Sequence, residues 1–220
     1  MLTNQIDSAF QAQEYLKALY RHHTTSPEDP ARTIPLKRET AEALCEPPSG
    51  CDESVWLFEL TCLLVRKLNL LIRALFTCDP PCSVQTCDEM RASEWQYLCA
   101  VHDPPKSCSA IDYCCHTMEW AERTLTNPEL FSSRLMQEGL KETRGGQVQE
   151  EPIGFRHISN IVRRLYRLFA HAWFEHRPVF WQLENGVGLY TVSLVYHSVH
   201  DHARQLTVFS FVKRCRIIMA

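Results

Sequence analysis

The sequence contains no apolar run long enough to cross a membrane. Its longest apolar stretch, residues 60–76, is interrupted by Arg66, Lys67, Asn69 and Arg73, whereas a spanning helix needs about 20 predominantly apolar residues. The first ten residues, MLTNQIDSAF, also lack the basic start and apolar core of a secretory signal. We therefore expect a cytoplasmic protein in a reducing compartment, where cysteines serve as buried thiols or metal ligands more often than as disulfides.

Motifs of the common enzyme classes are missing as well. We find no glycine-rich phosphate loop, no HExxH motif and no nucleophile elbow. Cys114, Cys115 and His116 are adjacent, but consecutive side chains on a helix point in different directions, which disfavours a catalytic dyad. The formal net charge of −3 argues against broad nucleic-acid binding. We predict that the protein is not an enzyme.

The composition that is present predicts one folded unit. Of the 220 residues, 45% are hydrophobic and 22% are charged, which suits a single sizeable core. Helical periodicity recurs without an internal repeat, so we predict an all-α fold, a single helical bundle with one irregular cysteine loop. We assign residues 1–37 to an N-terminal helix and flexible insertion, 38–190 to the helical domain with a mobile loop at about 137–155, and 191–220 to a divergent tail.

The strongest helical pattern lies in residues 158–178. At ~100° per residue, eight apolar side chains share one arc and predict a deeply buried helix face; they are Ile158, Ile161, Val162, Leu165, Leu168, Phe169, Ala172 and Trp173. Arg163, Arg164 and Arg167 fall on the opposite side. Residues 51–76 predict a second long helix that is buried on more than one side.

Two pairs of residues have the spacing of metal ligands. Cys82 and Cys87 form a C-x4-C pair in a proline-containing loop, and His171 and His176 form an H-x4-H pair at a helix end. Structural zinc sites use four such thiolate and imidazole ligands in a tetrahedron. The two pairs therefore predict a structural zinc site, with core cysteines and helix-end histidines as the alternative.

The histidine spacing requires a break in the helix. Residues five apart on a regular helix point about 140° from each other, too far to bind one ion. Pro178 disfavours the helical conformation at Arg177, so we expect a turn near His176. Other pairings remain open at this point, namely Cys78 with Cys82 and the tail histidines His197, His200 and His202.

Two charged groups allow two interpretations each. Arg163, Arg164 and Arg167 form either a fork for a phosphate group or a solvated face paired with carboxylates. An acidic neighbourhood forms either a docking surface for a basic partner or ordinary helix ends; its members are Glu39, Glu42, Glu46, Asp52, Glu53 and Glu59.

Five segments carry a recognisable pattern: EPPSGCDESVW (46–56), CSVQTC (82–87), EWQYLCAVHDPPKSCSAIDY (94–113), the His-Thr pair at 116–117 with LFSSRL (130–135), and RRLYRLFAHAWFEHR (163–177). Together they resemble the Mob/phocein family, and its phocein-like branch more than its kinase-activator branch. The resemblance covers roughly residues 7 to 190. It implies a helical bundle with a structural zinc ion whose ligand positions match Cys82, Cys87, His171 and His176.

The resemblance also implies a function. Phocein-like members are non-catalytic adaptors of striatin-type phosphatase–kinase assemblies. The alternative is an activating subunit of an NDR-type kinase, with the kinase's basic N-terminal region docked on the acidic residues 39–59. In the activator branch, basic residues at positions matching Arg163, Arg164 and Arg167 bind phosphopeptides, although that branch tends to carry lysine where Arg163 stands.

Beyond Tyr190 the sequence departs from the family pattern. Its apolar residues keep neither helical nor strand spacing for long, so we interpret residues 191–220 as the product of an unspliced intron or a shifted reading frame. Such a tail packs poorly and leaves an apolar patch uncovered near Phe180 and Trp181. The alternative is a genuine divergent helix through residues 194–213 that covers this patch.

Overall fold

The computed structural model describes residues 8–131, 142–144, 147–149 and 153–200. Within these ranges the chain forms seven helices and two short hairpins, and the predicted all-α bundle is confirmed. The elements are α1 (Ala9–Thr24), α2 (Arg38–Cys45), α3 (Glu53–Thr77), β1 (Arg91–Ala92), β2 (Trp95–Gln96), α4 (Ala110–Leu125), β3 (Glu142–Arg144), β4 (Gln147–Gln149), α5 (Ile153–Glu175), α6 (Arg177–Val187) and α7 (Leu189–His200). None of the helices in the described ranges is long and apolar enough to span a bilayer.

Helix α3 is the central element of the bundle. Its N-cap is Asp52, whose carboxylate accepts hydrogen bonds from the backbone N–H groups of Ser54 (2.8 Å) and Val55 (3.2 Å), and a carboxylate also suits the positive helix N-terminus. Most of its apolar side chains are buried, Trp56 and Phe58 included, although Leu70 and Phe76 near its end are exposed. Helices α1, α4, α5, α6 and α7 pack around α3, because a helix that is apolar on more than one side must be largely enclosed.

Helix α1 covers one side of α3. Ser8 and Gln11 form a reciprocal capping box at its start. The Gln13 amide donates to the Glu59 carboxylate over 3.0 Å, and Glu59 is only 1% exposed. Glu59 is therefore part of the α1–α3 contact, and its assignment to an acidic docking surface is wrong.

The segment after α1 is more ordered than a simple linker. Thr25 and Thr33 form an antiparallel bridge, supported by hydrogen bonds from Ser26 N–H to the Arg32 carbonyl and from Ile34 N–H to the Thr24 carbonyl, both 2.9 Å. Residues 27–33 are exposed between these contacts. The exposed insertion is thus closed at its base.

The predicted break at His176 is confirmed. All eight apolar residues of the predicted arc on α5 are buried. Helix α5 ends at Glu175, and His176 adopts a non-helical conformation with φ −132° and ψ 54°. Pro178 then lies in the first turn of α6, where its missing N–H costs no helical hydrogen bond.

The expectation of a poorly packed tail is wrong for residues 191–196. These residues belong to α7, which packs against α2, α3, α5 and α6; Val192 and Val195 are buried, and the Tyr196 hydroxyl lies 2.9 Å from that of Thr61. Phe180 is buried too, with its ring 5.2 Å from that of Tyr190. The segment packs because its apolar residues meet the helices that lie against α7. The side chain of residue 199 and residues 201–220 lie outside the described part.

The loop around β2 is largely exposed. Residues 94–101 contain only the two-residue strand β2, and Trp95, Leu98 and Val101 are 71%, 50% and 41% exposed. Most of the loop expected at about 137–155 lies outside the described residues. Within it, β3 and β4 pair in antiparallel register.

The junction between α6 and α7 depends on Gly188. This residue has φ +61°, and a Cβ atom there would lie 2.6 Å from the backbone nitrogen of Leu36. Just beyond it, the Glu184 carboxylate accepts hydrogen bonds from the backbone N–H groups of Tyr190 (2.9 Å) and Thr191 (3.1 Å) and from the Thr191 hydroxyl. Gly188 therefore lies between the close contact with Leu36 and the start of α7, which the Glu184 carboxylate caps.

We predict opposite effects for two glycine substitutions in this junction. Gly188→Ala should lower the free energy of unfolding by about 1–3 kcal/mol or more, because alanine is strained at positive φ and has no room beside Leu36. Gly186→Ala is the matched control: a Cβ there meets nothing within 4 Å, and alanine in a helix should add about 0.5–1 kcal/mol. Urea unfolding of both variants measures the difference. Equal stability of the two variants would contradict this packing of α7.

Candidate functional site

Four side chains that are distant in sequence meet where the cysteine loop contacts the α5–α6 break. The donor atoms of Cys82, Cys87, His171 and His176 all lie within 4.8 Å of one another. Cys82 Sγ is 3.5 Å from His171 Nε2, and Cys87 Sγ is 3.4 Å from His176 Nε2. We name this group the loop–helix site.

Backbone contacts hold the cysteine side of the loop–helix site. The Cys82 N–H donates to the Leu75 carbonyl over 2.9 Å, and the Cys87 N–H donates to the Ser83 carbonyl over 2.8 Å. The Thr86 hydroxyl donates to the Pro81 carbonyl over 2.6 Å. The loop therefore folds back on the end of α3 and turns both thiols inward.

The histidine side is oriented by a hydrogen bond from outside the site. His171 Nδ1 lies 2.8 Å from the backbone carbonyl of Arg91 on β1, so Nδ1 carries the proton and Nε2 faces the thiols. A carbonyl partner on the second ring nitrogen is the usual way in which a metal-binding histidine is oriented. The short β1–β2 hairpin thus supports the site.

The protonation states suit a metal ion. Burial lowers the pKa of His171 to about 4 and also lowers the pKa of His176, so both imidazoles are neutral and have a free lone pair for a cation. Burial, reinforced by the neighbouring Cys87 thiol, raises the pKa of Cys82. A cation must therefore displace a thiol proton on binding, which makes metal affinity increase with pH.

The donor set fits a tetrahedral ion. Metal–sulfur bonds of about 2.3 Å and metal–nitrogen bonds of about 2.0–2.1 Å place tetrahedral donors roughly 3.3–3.8 Å apart, and both sulfur–nitrogen pairs fall in this range. Cys82, Cys87, His171 and His176 could therefore hold one metal ion. With four protein ligands, such an ion has no open position for a substrate.

The rival pairing of Cys78 with Cys82 is not supported by the geometry. Cys78 Sγ lies 3.7 Å from His176 Nδ1, the ring nitrogen opposite the one that faces Cys87. Its thiol also contacts the carbonyls of Leu75 (3.3 Å) and Pro80 (3.2 Å). Cys78 is thus a neighbour that orients the His176 ring. For the tail histidines, the side chains of residues 197 and 200 and the whole of residue 202 lie outside the described part.

The three arginines do not form a simple solvated face. All three are half-buried; the Arg164 guanidinium lies 3.9 Å from the centre of the Trp120 ring, and Arg167 lies 4.9 Å from that of Tyr97. Arg167 also donates to the Tyr113 hydroxyl over 2.8 Å. The stacking positions Arg164 and Arg167 against α4 and the loop before it.

No carboxylate neutralises this arginine surface within the described residues. The ion pairs found there involve other side chains. Burial lowers the pKa of Arg164, and the nearby charge of Arg167 lowers it further, whereas Tyr113 raises it. Positive charges that lie close together on a half-buried surface attract an anion.

The acidic neighbourhood is smaller than predicted. Glu39, Glu46, Asp52 and Glu53 are exposed, and Glu42 forms an i,i+4 ion pair with Arg38 at 2.8 Å. The exposed carboxylates lie at the start of α2, just after its end and at the start of α3. Of these four, Asp52 also caps α3 through its carboxylate.

Sequence reasoning missed a second Cys/His group. The donor atoms of Cys99, His102, Cys108 and His116 also lie within 4.8 Å of one another. The spacing C-x2-H-x5-C-x7-H is visible in the sequence, but the positions of Cys114 and Cys115 next to His116 do not reveal it. The Nδ1 atom of His116 lies 3.7 Å from Cys99 Sγ.

Comparison with known proteins gives a consistent pattern. Residues 34–202 match the model of the Mob1/phocein family. The chain is 31% identical over 205 residues to MOB-like protein phocein of Caenorhabditis elegans, covering 91% of this chain and 77% of that protein. It is 32% identical over 181 residues to MOB kinase activator-like 4 of Drosophila melanogaster, covering 82% and 68%. With DBF2 kinase activator protein MOB1 of Saccharomyces cerevisiae it shares 32% identity over 134 residues, covering 59% and 38%.

We predict that Cys87→Ser removes one metal equivalent per chain, whereas Cys78→Ser does not. Losing a ligand of a structural site should cost on the order of 5 kcal/mol, since ligation contributes about 10 kcal/mol or more to folding in small metal modules. At ~3 °C per kcal/mol for a chain of this size, Tm should fall by roughly 15 °C. Elemental analysis and calorimetry of both variants make the test. Metal loss in Cys78→Ser with retention in Cys87→Ser would reverse the ligand assignment.

Proposed function

Because the chain belongs to the Mob1/phocein family, we propose that it is a non-catalytic adaptor subunit of a striatin-type phosphatase–kinase assembly. The observation that carries this proposal is the extent of similarity. The alignment with the Caenorhabditis elegans phocein covers 91% of the chain, whereas the alignment with the yeast DBF2 kinase activator covers 59%. An alignment that spans nearly the whole chain supports a role shared with phocein, although the relative named MOB kinase activator-like 4 also aligns over 82% of the chain.

The metal in the proposal is zinc, and its role is structural. Two thiols and two imidazoles are the ligands that zinc prefers in closed sites, and hard cations such as Mg²⁺ and Ca²⁺ prefer oxygen. Bound zinc would connect the cysteine loop after α3 to the α5–α6 break. The zinc ion would hold Cys82 and Cys87 against His171 and His176. It would thereby maintain the shape of the surface that a partner binds.

A second candidate is an activating subunit of an NDR-type kinase. The relatives named kinase activators support it, and so do the exposed carboxylates of Glu39, Glu46, Asp52 and Glu53, which suit a basic kinase segment. Both candidates place the protein among regulators of phosphorylation, in the cytoplasm. They differ in the partner that should be recovered with the chain.

The arginine surface is proposed to bind a phosphorylated segment of a partner. Arg164 and Arg167 are held by aromatic rings, which lowers the entropy lost when a guanidinium binds a phosphate. The absence of a carboxylate partner among the described residues leaves their charge available to an anion. A bidentate arginine–phosphate contact requires a guanidinium, so lysine should not replace it fully.

Affinity purification of the tagged full chain from its native cells should separate the two functions. We expect a striatin-like scaffold and a phosphatase scaffold subunit to co-purify. Replacing Glu39, Glu46 and Glu53 together by Lys should leave this recovery unchanged while abolishing recovery of any basic kinase segment. Recovery of an NDR-type kinase alone, lost in the triple variant, would overturn the phocein-type assignment in favour of the activator.

Phosphopeptide capture should depend on guanidinium groups rather than on positive charge alone. With a library of phosphothreonine peptides and its unphosphorylated counterpart, the double variant Arg164→Lys and Arg167→Lys should bind at least about tenfold more weakly, the equivalent of ~1.4 kcal/mol, because lysine has no planar fork. Arg163→Ala removes a neighbouring charge without disturbing either stacking contact.

The double lysine variant leaves the net charge unchanged. The control is Arg73→Ala, which removes an exposed arginine of α3 and changes the net charge as Arg163→Ala does. It should bind phosphopeptides like the original chain. Fluorescence anisotropy measures the affinities, and circular dichroism verifies the fold. Equal affinity of the double lysine variant and the control would rule out a phosphate pocket at this surface.

A further inference from the structure

A second compact Cys2His2 group lies beside the loop–helix site. Cys99 is buried in the loop after β2, whereas His102, Cys108 and His116 are half-buried. His102 Nε2 lies 3.2 Å from Cys108 Sγ, and His116 Nδ1 lies 3.7 Å from Cys99 Sγ. The imidazole rings of His102 and His116 are nearly perpendicular to each other, and their centroids are 5.0 Å apart.

The four donors point at one centre. Tetrahedral zinc with two sulfur and two nitrogen ligands places its donors roughly 3.3–3.8 Å apart. Of the two sulfur–nitrogen distances, 3.7 Å lies within that range and 3.2 Å lies just below it. Two separate thiol–imidazole hydrogen bonds would not need all four donor atoms within 4.8 Å of one another. Convergence of both pairs is what a shared ion requires.

The backbone holds these donors in place. Cys99 and Lys106 form an antiparallel bridge, with hydrogen bonds of 2.8 Å and 3.4 Å between their N–H and carbonyl groups, which closes the loop that carries His102. The Cys108 carbonyl accepts from the Met90 N–H over 3.0 Å. Cys108 stands just before Ser109, the N-cap of α4, and His116 lies on that helix. Three independent backbone elements therefore converge on the group.

We propose that Cys99, His102, Cys108 and His116 form a second structural zinc site. The chemistry of the donors selects a soft or borderline ion, and zinc accepts tetrahedral S2N2 ligation without a redox change. The ion ties residues 99–108 to α4. The second site is linked to the loop–helix site by a backbone hydrogen bond, which the Ala110 N–H donates to the Cys87 carbonyl over 2.9 Å.

The two ions differ in accessibility. Three of the four donors in the second group are half-buried, whereas the loop–helix site has three buried donors, Cys82, His171 and His176. A chelator should therefore remove the ion of the second site first. Its loss should loosen the loop at residues 99–108 while the bundle around α3 stays folded.

The test is zinc stoichiometry of the purified full chain. We expect about two zinc ions per chain in the original protein and about one in His102→Ala and in Cys108→Ser, since each removes one of four ligands. His102 and Cys108 are chosen because they are half-buried in a loop, so their replacement leaves the helical core intact. The matched controls are Cys115→Ser, an exposed thiol adjacent to His116, and His23→Ala on α1; both should keep about two.

Cobalt substitution gives a second readout. Tetrahedral thiolate-ligated Co²⁺ absorbs strongly in the visible range, and the absorbance per chain should fall by about half in His102→Ala and in Cys87→Ser. Circular dichroism checks that each variant is folded. One zinc ion in the original chain, unchanged in His102→Ala and lost in Cys87→Ser, would overturn the proposal. A second zinc ion that survives both His102→Ala and Cys108→Ser would place it elsewhere and overturn it as well.

Discussion

The end of α5 at His176 is the constraint on which the functional part of the structure depends. A continuous helix would point His171 and His176 about 140° apart, and the two rings could not face one centre. With the break, their ring centroids are 5.4 Å apart, and the loop cysteines reach both. The same break turns the chain into α6 and so permits α7 to return over α2.

Around this point the bundle joins parts of the chain that are far apart in sequence. The loop cysteines follow α3, and the histidines close α5, some 89 residues later. Closing such a long loop costs conformational entropy. Burial around α3 offsets part of that cost, and a metal ion at the loop–helix site would offset more. A closed metal site with no open coordination position would thus act on the proposed function by maintaining the shape of the bundle surface.

The arginine surface and the second Cys/His group belong to one region. Arg164 stacks on Trp120 of α4, and Arg167 stacks on Tyr97, two residues before Cys99. The loop that carries Cys99 therefore also supplies a ring that orients a guanidinium. If a zinc ion orders this loop as proposed, it also orders part of the arginine surface that is proposed to bind an anion.

The sequence by itself determined the features that depend on local periodicity and spacing. These are the long helices α3 and α5, the turn near His176 that Pro178 favours, and the spacing of the four donors of the loop–helix site. The assignment of those donors as metal ligands stays a prediction that also drew on family resemblance. Only the tertiary structure decided the features that depend on distant contacts. Glu59 is buried because Gln13 reaches it, α7 is packed because α2 offers an apolar surface, and the Cys99 group converges because separate backbone elements meet. Periodicity reports which face of an element is apolar, but burial and ligand geometry depend on what the rest of the fold places against it.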